Sequence, residues 1–205
     1  MRAIYCAGEQ GRVVLDILRS VDEDDVVFAD DDANLHDKSV AGRPVVGGLD
    51  HLANKESVTS IVAYGDQPGV RLELADSLSS VGCDFFNAVH DSATISDTAS
   101  LGNGVMINAE SYIAPNAEIG DHVLIDSCVN ISHDVCLGRG ATITPGATIA
   151  GGVVLSTDSY VGPGSTVIED ITINEGAIVG AGAVVTDDVP ADTTVVGVPA
   201  SPIDS

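Results

Sequence analysis

His133 and Asp134 stand together in VNISHDVCLG, residues 129–138, inside a long tract of small and β-branched residues. An imidazole can take up and return a proton near neutral pH. A neighbouring carboxylate can fix its tautomer and support the imidazolium. Adjacent residues do not automatically face each other, so the role of His133 is firmer than that of Asp134. His122, the other histidine of the tract, has no acid directly after it. Two histidines fall short of the three converging on a catalytic zinc, and no metal site is expected.

A second stretch with chemical potential is CAGEQG, residues 6–11, between a strand-like and a helix-like segment. Gly8 and Gly11 fit two positions of G-x-G-x-x-G, and Cys6 replaces the first glycine. Such a turn aims backbone N–H groups of a helix N-terminus at phosphate. Asp30 and Asp31 lie ~20 residues on, where a fingerprint acid meets ribose or sugar hydroxyls. The turn after a third strand, Gly65-Asp66, would share the same carboxyl edge.

Two kinds of element must position these groups. Up to residue 90, strand and helix signals alternate, which implies a parallel sheet. RAIYCAG, DVVFADDD and VTSIVAYGD read as strands. QGRVVLDILRS has Val13, Val14, Ile17 and Leu18 at helical spacing, and GVRLELADSLSSVG reads as a second helix. DDDANLHDKSVAGRPVVGG reads as a loop. From Ala93 the chain runs in sixteen uninterrupted blocks of six, ATISDT to AVVTDD, each with Ile, Leu or Val in third place. That period fits a parallel β-helix in which three hexads close a triangular coil. Sixteen hexads give roughly five coils, about 25 Å at ~4.8 Å per strand. The expected organisation is a Rossmann-like domain over 1–90, a β-helix over 91–190 and a tail over 191–205.

Composition narrows the function classes. With 31 acidic against 8 basic residues the net charge is −23. No basic patch exists to neutralise phosphates, which argues against nucleic acid. The acidity is spread along the chain, like the surface of halophilic proteins, where salt screens self-repulsion. Cys6, Cys83, Cys128 and Cys136 form no CxxC pair and are expected as small buried hydrophobes in a reducing compartment. No signal-peptide pattern and no membrane-length apolar run occur, so a cytoplasmic protein away from the membrane is expected.

The chain resembles the hexapeptide sugar acetyltransferases that include the sialic acid O-acetyltransferases and the bacterial UDP-4-amino-sugar N-acetyltransferases. The likeness runs through IYCAGEQGRVVLDIL, FADDD, AGRPVVGGLDHL and AYGDQPGVRLELADSL, then NISHDVCLG, PGATIAGGVVL and AIVGAGAVVTDDVPADTTVVGVPA. It implies a left-handed β-helix, commonly assembled as a homotrimer with the active site between subunits. It implies acetyl-CoA as co-substrate, bound near Thr142, Gly151, Pro163 and Ala181, and a sugar or nucleotide-sugar as acceptor. His133 matches the general base and Asp134 the acid that orients it. Gly8, Glu9, Gln10, Asp30, Asp31 and Gly65 match positions that hold the nucleotide-sugar. The chain departs from the family pattern at Cys6, Glu9, Gln10, Thr142 and Ser201.

The expected function is acetyl transfer to the nitrogen or oxygen of a nucleotide-activated amino sugar or sialic acid. Two other functions could use the same features. A nicotinamide-dependent oxidoreductase would rest on the glycine turn, but some 90 residues leave little room for a dinucleotide domain plus a catalytic one. A non-catalytic sugar- or nucleotide-binding β-helical scaffold would tolerate any residue at position 133.

Overall fold

The computed structural model describes residues 1–65 and 67–203; Asp66 of the predicted Gly65-Asp66 turn lies outside them. The chain divides into two compact units, Met1–Asp91 and Ser92–Ser205.

In the first unit the chain runs through β1 (Arg2–Tyr5), α1 (Glu9–Ser20), β2 (Val27–Ala29), β3 (Ser39–Val40), β4 (Arg43–Pro44), α2 (Leu49–Ala53), β5 (Thr59–Val62), α3 (Val70–Ser80) and β6 (Asp84–Phe85). The parallel sheet has the order β2-β1-β5-β6. From β1 the chain first goes to β2 on one side, then to β5 on the other. That reversal creates a crevice at the carboxyl end of β1, where open α/β sheets bind ligands. Ala3, Ile4 and Tyr5 of β1 are buried, and α1 packs through Gly11, Val14, Leu15, Ile17 and Leu18. Val13, expected on the apolar face, is instead 37% exposed. The region read as a loop contains the β3–β4 hairpin and the short helix α2.

The second unit is a parallel β-solenoid of about six turns, of the left-handed hexapeptide class. Partners are 18 residues apart, as in Ile113↔Ile131 and Ile131↔Ile149, so three hexads make one turn. One sheet stacks Tyr112–Ile113, Asn130–Ile131 and Thr148–Ile149. The second stacks Glu118–Ile119, Cys136–Leu137 and Val154–Leu155. The third stacks Leu124–Ile125, Thr142–Ile143 and Tyr160–Val161. From Ile107 to Val185 the third-position aliphatics point inward and are buried, among them Ile113, Ile131, Ile149 and Val167, whereas Ile95 and Leu101 of the first two hexads are only partly buried. Each fully buried aliphatic contributes about 1.5–3 kcal/mol relative to exposure, so the column of them holds the coil. Corners need left-handed backbone, supplied by Asn116 (φ 61°), Asp134 (φ 57°) and Asp170 (φ 59°). Short polar side chains tolerate that conformation better than most.

The expectation of roughly five coils is one too few. Ile173 bridges Val189, and Ile178–Val179 pairs with Thr194 and Val195, partners 16 rather than 18 apart. The last turn therefore breaks the hexad period yet continues the ladder. All four cysteines are free thiols, but only Cys83 is buried. Cys128 is exposed at a corner with φ 58°, which corrects the expectation that all four are core residues.

Candidate active site

The glycine turn follows β1 and opens α1. Cys6 has φ 79°, a conformation glycine adopts freely and cysteine does not. This is the position where the dinucleotide fingerprint has its first glycine. Gly11 serves close packing: a methyl group there would lie 2.3 Å from the Cys6 carbonyl oxygen and 3.0 Å from Phe28 Cε1. The third fingerprint glycine has that role in helix–strand contacts. Burial and the Asp30 and Asp31 carboxylates push the Cys6 thiol up to about 12, so it carries no thiolate at neutral pH.

At the carboxyl ends of β1, β2 and β5 lies a cavity of about 700 Å³. Gly8, Glu9, Gln10 and Val13 of α1 and its N-cap form one wall. Cys6, Asp30 and the Ala63-Tyr64-Gly65 segment form the rest. The exposure of Val13 follows from this position. The Gln10 Nε2 is buried with no hydrogen-bond partner. Glu9 is 96% exposed and pairs with Arg12 at 3.6 Å, which draws its charge back toward a cation. Asp30 accepts from the Ala7 N–H at 2.8 Å and the Asp32 N–H at 2.9 Å, tying β2 to the glycine turn. An ionised carboxylate keeps further acceptor capacity after two such bonds.

Asp31 is placed differently. It does not line the cavity; its carboxylate accepts from the Tyr5 hydroxyl at 2.5 Å and from the Leu49 N–H at 2.9 Å. Burial, then this bond, pushes the Tyr5 phenol above its ordinary value, so it stays a donor. Five of the six predicted sugar-site residues thus meet at one cavity, and Asp31 braces the strand end beneath them. Val13, Ala63 and Tyr64 at the cavity, and Tyr5 as the partner of Asp31, were not read from the sequence as site residues, since burial and loop direction place them.

In the solenoid, His133 and Asp134 do face each other, with Nδ1 2.8 Å from the Asp134 Oδ2. Their side chains are 65% and 58% exposed, so solutes reach them. Asn116, one turn away, donates from Nδ2 to Asp134 Oδ1 at 3.0 Å. That bond first, and His133 second, hold the Asp134 carboxyl below the usual carboxylate range. An ionised carboxylate only accepts, so Nδ1 carries the proton and Nε2 presents its lone pair. The arrangement can take a proton at Nε2 and stabilise the resulting imidazolium.

Gly151 lies on the same corner one turn on. A methyl group there would lie 2.6 Å from His133 Cε1 and 2.9 Å from Nε2, so the imidazole occupies space that only glycine leaves open. Pro163 and Ala181 stack on a different corner, where the Gly182 N–H donates to the Pro163 carbonyl at 2.9 Å. Thr142 sits on the sheet with Leu124 and Tyr160 and is buried. Within one chain, then, Gly151 joins His133, while Pro163, Ala181 and Thr142 do not. Asn116 was missed, although its 18-residue distance from Asp134 is one coil and was open to reading. A groove of about 490 Å³ runs along the sheet carrying Glu118, Cys136 and Val154. Among the described residues no group of three or more His, Cys, Asp or Glu could hold a metal ion. No helix among them is long and apolar enough to cross a membrane.

The family model for bacterial transferase hexapeptide (six repeats) matches residues 98–132 and 116–151. PerB from Caulobacter crescentus, solved in complex with CoA and GDP-perosamine, is 33% identical, with 99% of this chain and 97% of that one covered and a TM-score of 0.92. The acetyltransferase domain of PglB from Neisseria gonorrhoeae is 29% identical, with 98% of both chains covered and a TM-score of 0.92. That domain has also been solved with acetyl coenzyme A, in a structure 28% identical to this chain over 98% of both, TM-score 0.92. Comparison with curated protein sequences finds no match. The near-complete coverage of a relative at 33% identity, with a hexapeptide match spanning His133, Asp134 and Gly151, shows that the chain belongs to the hexapeptide-repeat sugar acetyltransferases.

Proposed function

We propose that the protein transfers the acetyl group of acetyl-CoA to the amino group of a nucleotide-activated sugar. The observation that carries this reading is the His133 imidazole, held through Nδ1 by an ionised Asp134 on a side chain that is 65% exposed. Nε2 takes the proton of the attacking amine as the nitrogen bonds to the thioester carbonyl carbon. The tetrahedral intermediate expels the CoA thiolate, and the imidazolium returns the proton to sulfur. The products are the N-acetyl sugar and CoA, with no covalent enzyme intermediate. Amine rather than hydroxyl acceptance is supported by the relatives, which include GDP-perosamine N-acetyltransferase from Caulobacter crescentus.

The nucleotide-sugar occupies the cavity beside Gly8, Glu9, Gln10, Asp30 and Gly65. Its phosphates meet the N-terminal amides of α1, where backbone N–H groups and the helix dipole favour anions. Acetyl-CoA uses Gly151 on the corner of His133, and Thr142, Pro163 and Ala181 on surfaces that one chain keeps apart. Bringing both sets to a single co-substrate calls for a second copy, and we take the working assembly to be a homotrimer in a cytoplasmic, salt-rich setting.

The test is CoA release on incubating acetyl-CoA with a panel of nucleotide-linked amino sugars, with the mass of the assembly checked by light scattering. His133→Ala is expected to slow turnover by ~10²–10⁴, the usual contribution of a general base. Undiminished turnover in a folded His133→Ala protein refutes the mechanism.

A further inference from the structure

Arg71 is a charged side chain only 4% exposed, and a buried guanidinium is costly unless it is held by hydrogen bonds. It lies in the first turn of α3, after Gly69 with φ 83°. Its Nη1 donates to the Tyr64 carbonyl at 2.8 Å. Tyr64 lies just beyond β5. The Ala63 N–H donates to the Tyr5 carbonyl at 2.8 Å, which holds that residue to the sheet. One residue further, the backbone is held by Arg71. The Tyr64–Gly65 peptide plane is therefore oriented by a guanidinium from α3, and both residues line the cavity.

We propose that Arg71 is a positioning residue for nucleotide-sugar binding; this rests on the reading of the cavity as the nucleotide-sugar site. Arg71 fixes the Tyr64 carbonyl from behind and so sets which way the Gly65 N–H and the Tyr64 side chain meet the nucleoside diphosphate. A charge-assisted bond of this kind is about twice as strong as a neutral one, and its planar donor leaves the carbonyl little angular freedom. The acetyl-CoA site lies in the other unit and does not depend on Arg71.

The experiment compares wild type, Arg71→Gln and Arg71→Lys. Isothermal titration with UDP, GDP and dTDP, and separately with CoA, is paired with KM and kcat for turnover. Arg71→Gln is expected to weaken nucleoside-diphosphate binding at least tenfold and to raise the sugar KM likewise, with CoA affinity and kcat within twofold. Arg71→Lys keeps a buried cation and should recover part of the loss. It decides the matter if the glutamine variant does not fold. Nucleotide affinity unchanged within twofold, or nucleotide and CoA affinity falling together, overturns the proposal and leaves Arg71 purely structural. A wild type that binds no nucleotide overturns it together with the cavity assignment. Arg71-dependent nucleotide binding in a protein that transfers no acetyl group upholds Arg71 and sinks the proposed function instead.

Discussion

Gly151→Ala tests the base assignment without substituting His133 or its acid. The new methyl would lie 2.6 Å from Cε1, 2.9 Å from Nε2 and 3.2 Å from Nδ1 of the imidazole. To regain ordinary contact the ring retreats by ~0.8 Å or more at Cε1. It has room to do so, because the His133 side chain is 65% exposed and faces solvent. The retreat stretches the 2.8 Å bond to Asp134 and moves Nε2 off its line to the amine. Misplacement of a catalytic group by about 1 Å costs on the order of 10²-fold in rate. Gly151 does not have a positive φ, so alanine meets no backbone strain, and the lower entropy of the unfolded chain offsets part of the crowding. The expected result is kcat down ~10–10²-fold with a melting temperature close to wild type. Steady-state kinetics with a thiol-reactive chromophore for CoA and a differential scanning melt measure both. A kcat within twofold of wild type would show that the ring over Gly151 is not the base. A rise in the acetyl-CoA KM at constant kcat would instead mark Gly151 as a co-substrate contact alone.

Two further outcomes follow from the same geometry. Asn116→Gly keeps the left-handed corner (φ 61°) but removes the largest cause holding the Asp134 carboxyl down. Its pKa should climb toward the unfolded value of ~3.9, read by ¹³C titration of the aspartate carboxyls. Because the folded value is depressed, the stability it contributes is present above the unfolded value and lost as pH falls through the folded one. The variant should therefore lose that contribution at neutral pH and converge with wild type as pH falls below the folded value; an unchanged Asp134 titration contradicts the assignment. Gly11→Ala drives a methyl into the Cys6 carbonyl and forces α1 off the sheet. A loss of about 1–3 kcal/mol in urea unfolding is expected, and full stability would deny the close contact.

Much of the fold was legible because its signals are local and repeated. An inward aliphatic every sixth residue has no other compact solution over sixteen repeats, and strand-turn-helix order dictates a parallel sheet. The sixth turn was hidden because its partners shift to a 16-residue spacing around TDDVPADTT, where the period lapses. The hairpin and short helix between β2 and β5 were hidden because two-residue strands and a five-residue helix leave no periodic trace.

For the site, the sequence alone determined which groups could do chemistry: His133 with an adjacent acid, and a glycine turn opening a helix ~20 residues before two aspartates. Tertiary structure decided which of them meet. Coiling brought Asn116 and Gly151 to the His133 corner from one turn away on either side, and left Pro163 and Ala181 on another. Rotamers and loop direction kept Asp30 at the cavity and turned Asp31 away to Tyr5 and Leu49. The physical reason is that periodicity sets backbone path, whereas contact between side chains depends on closure of the coil and on competing local partners. Neither of these is written at any single stretch of the chain.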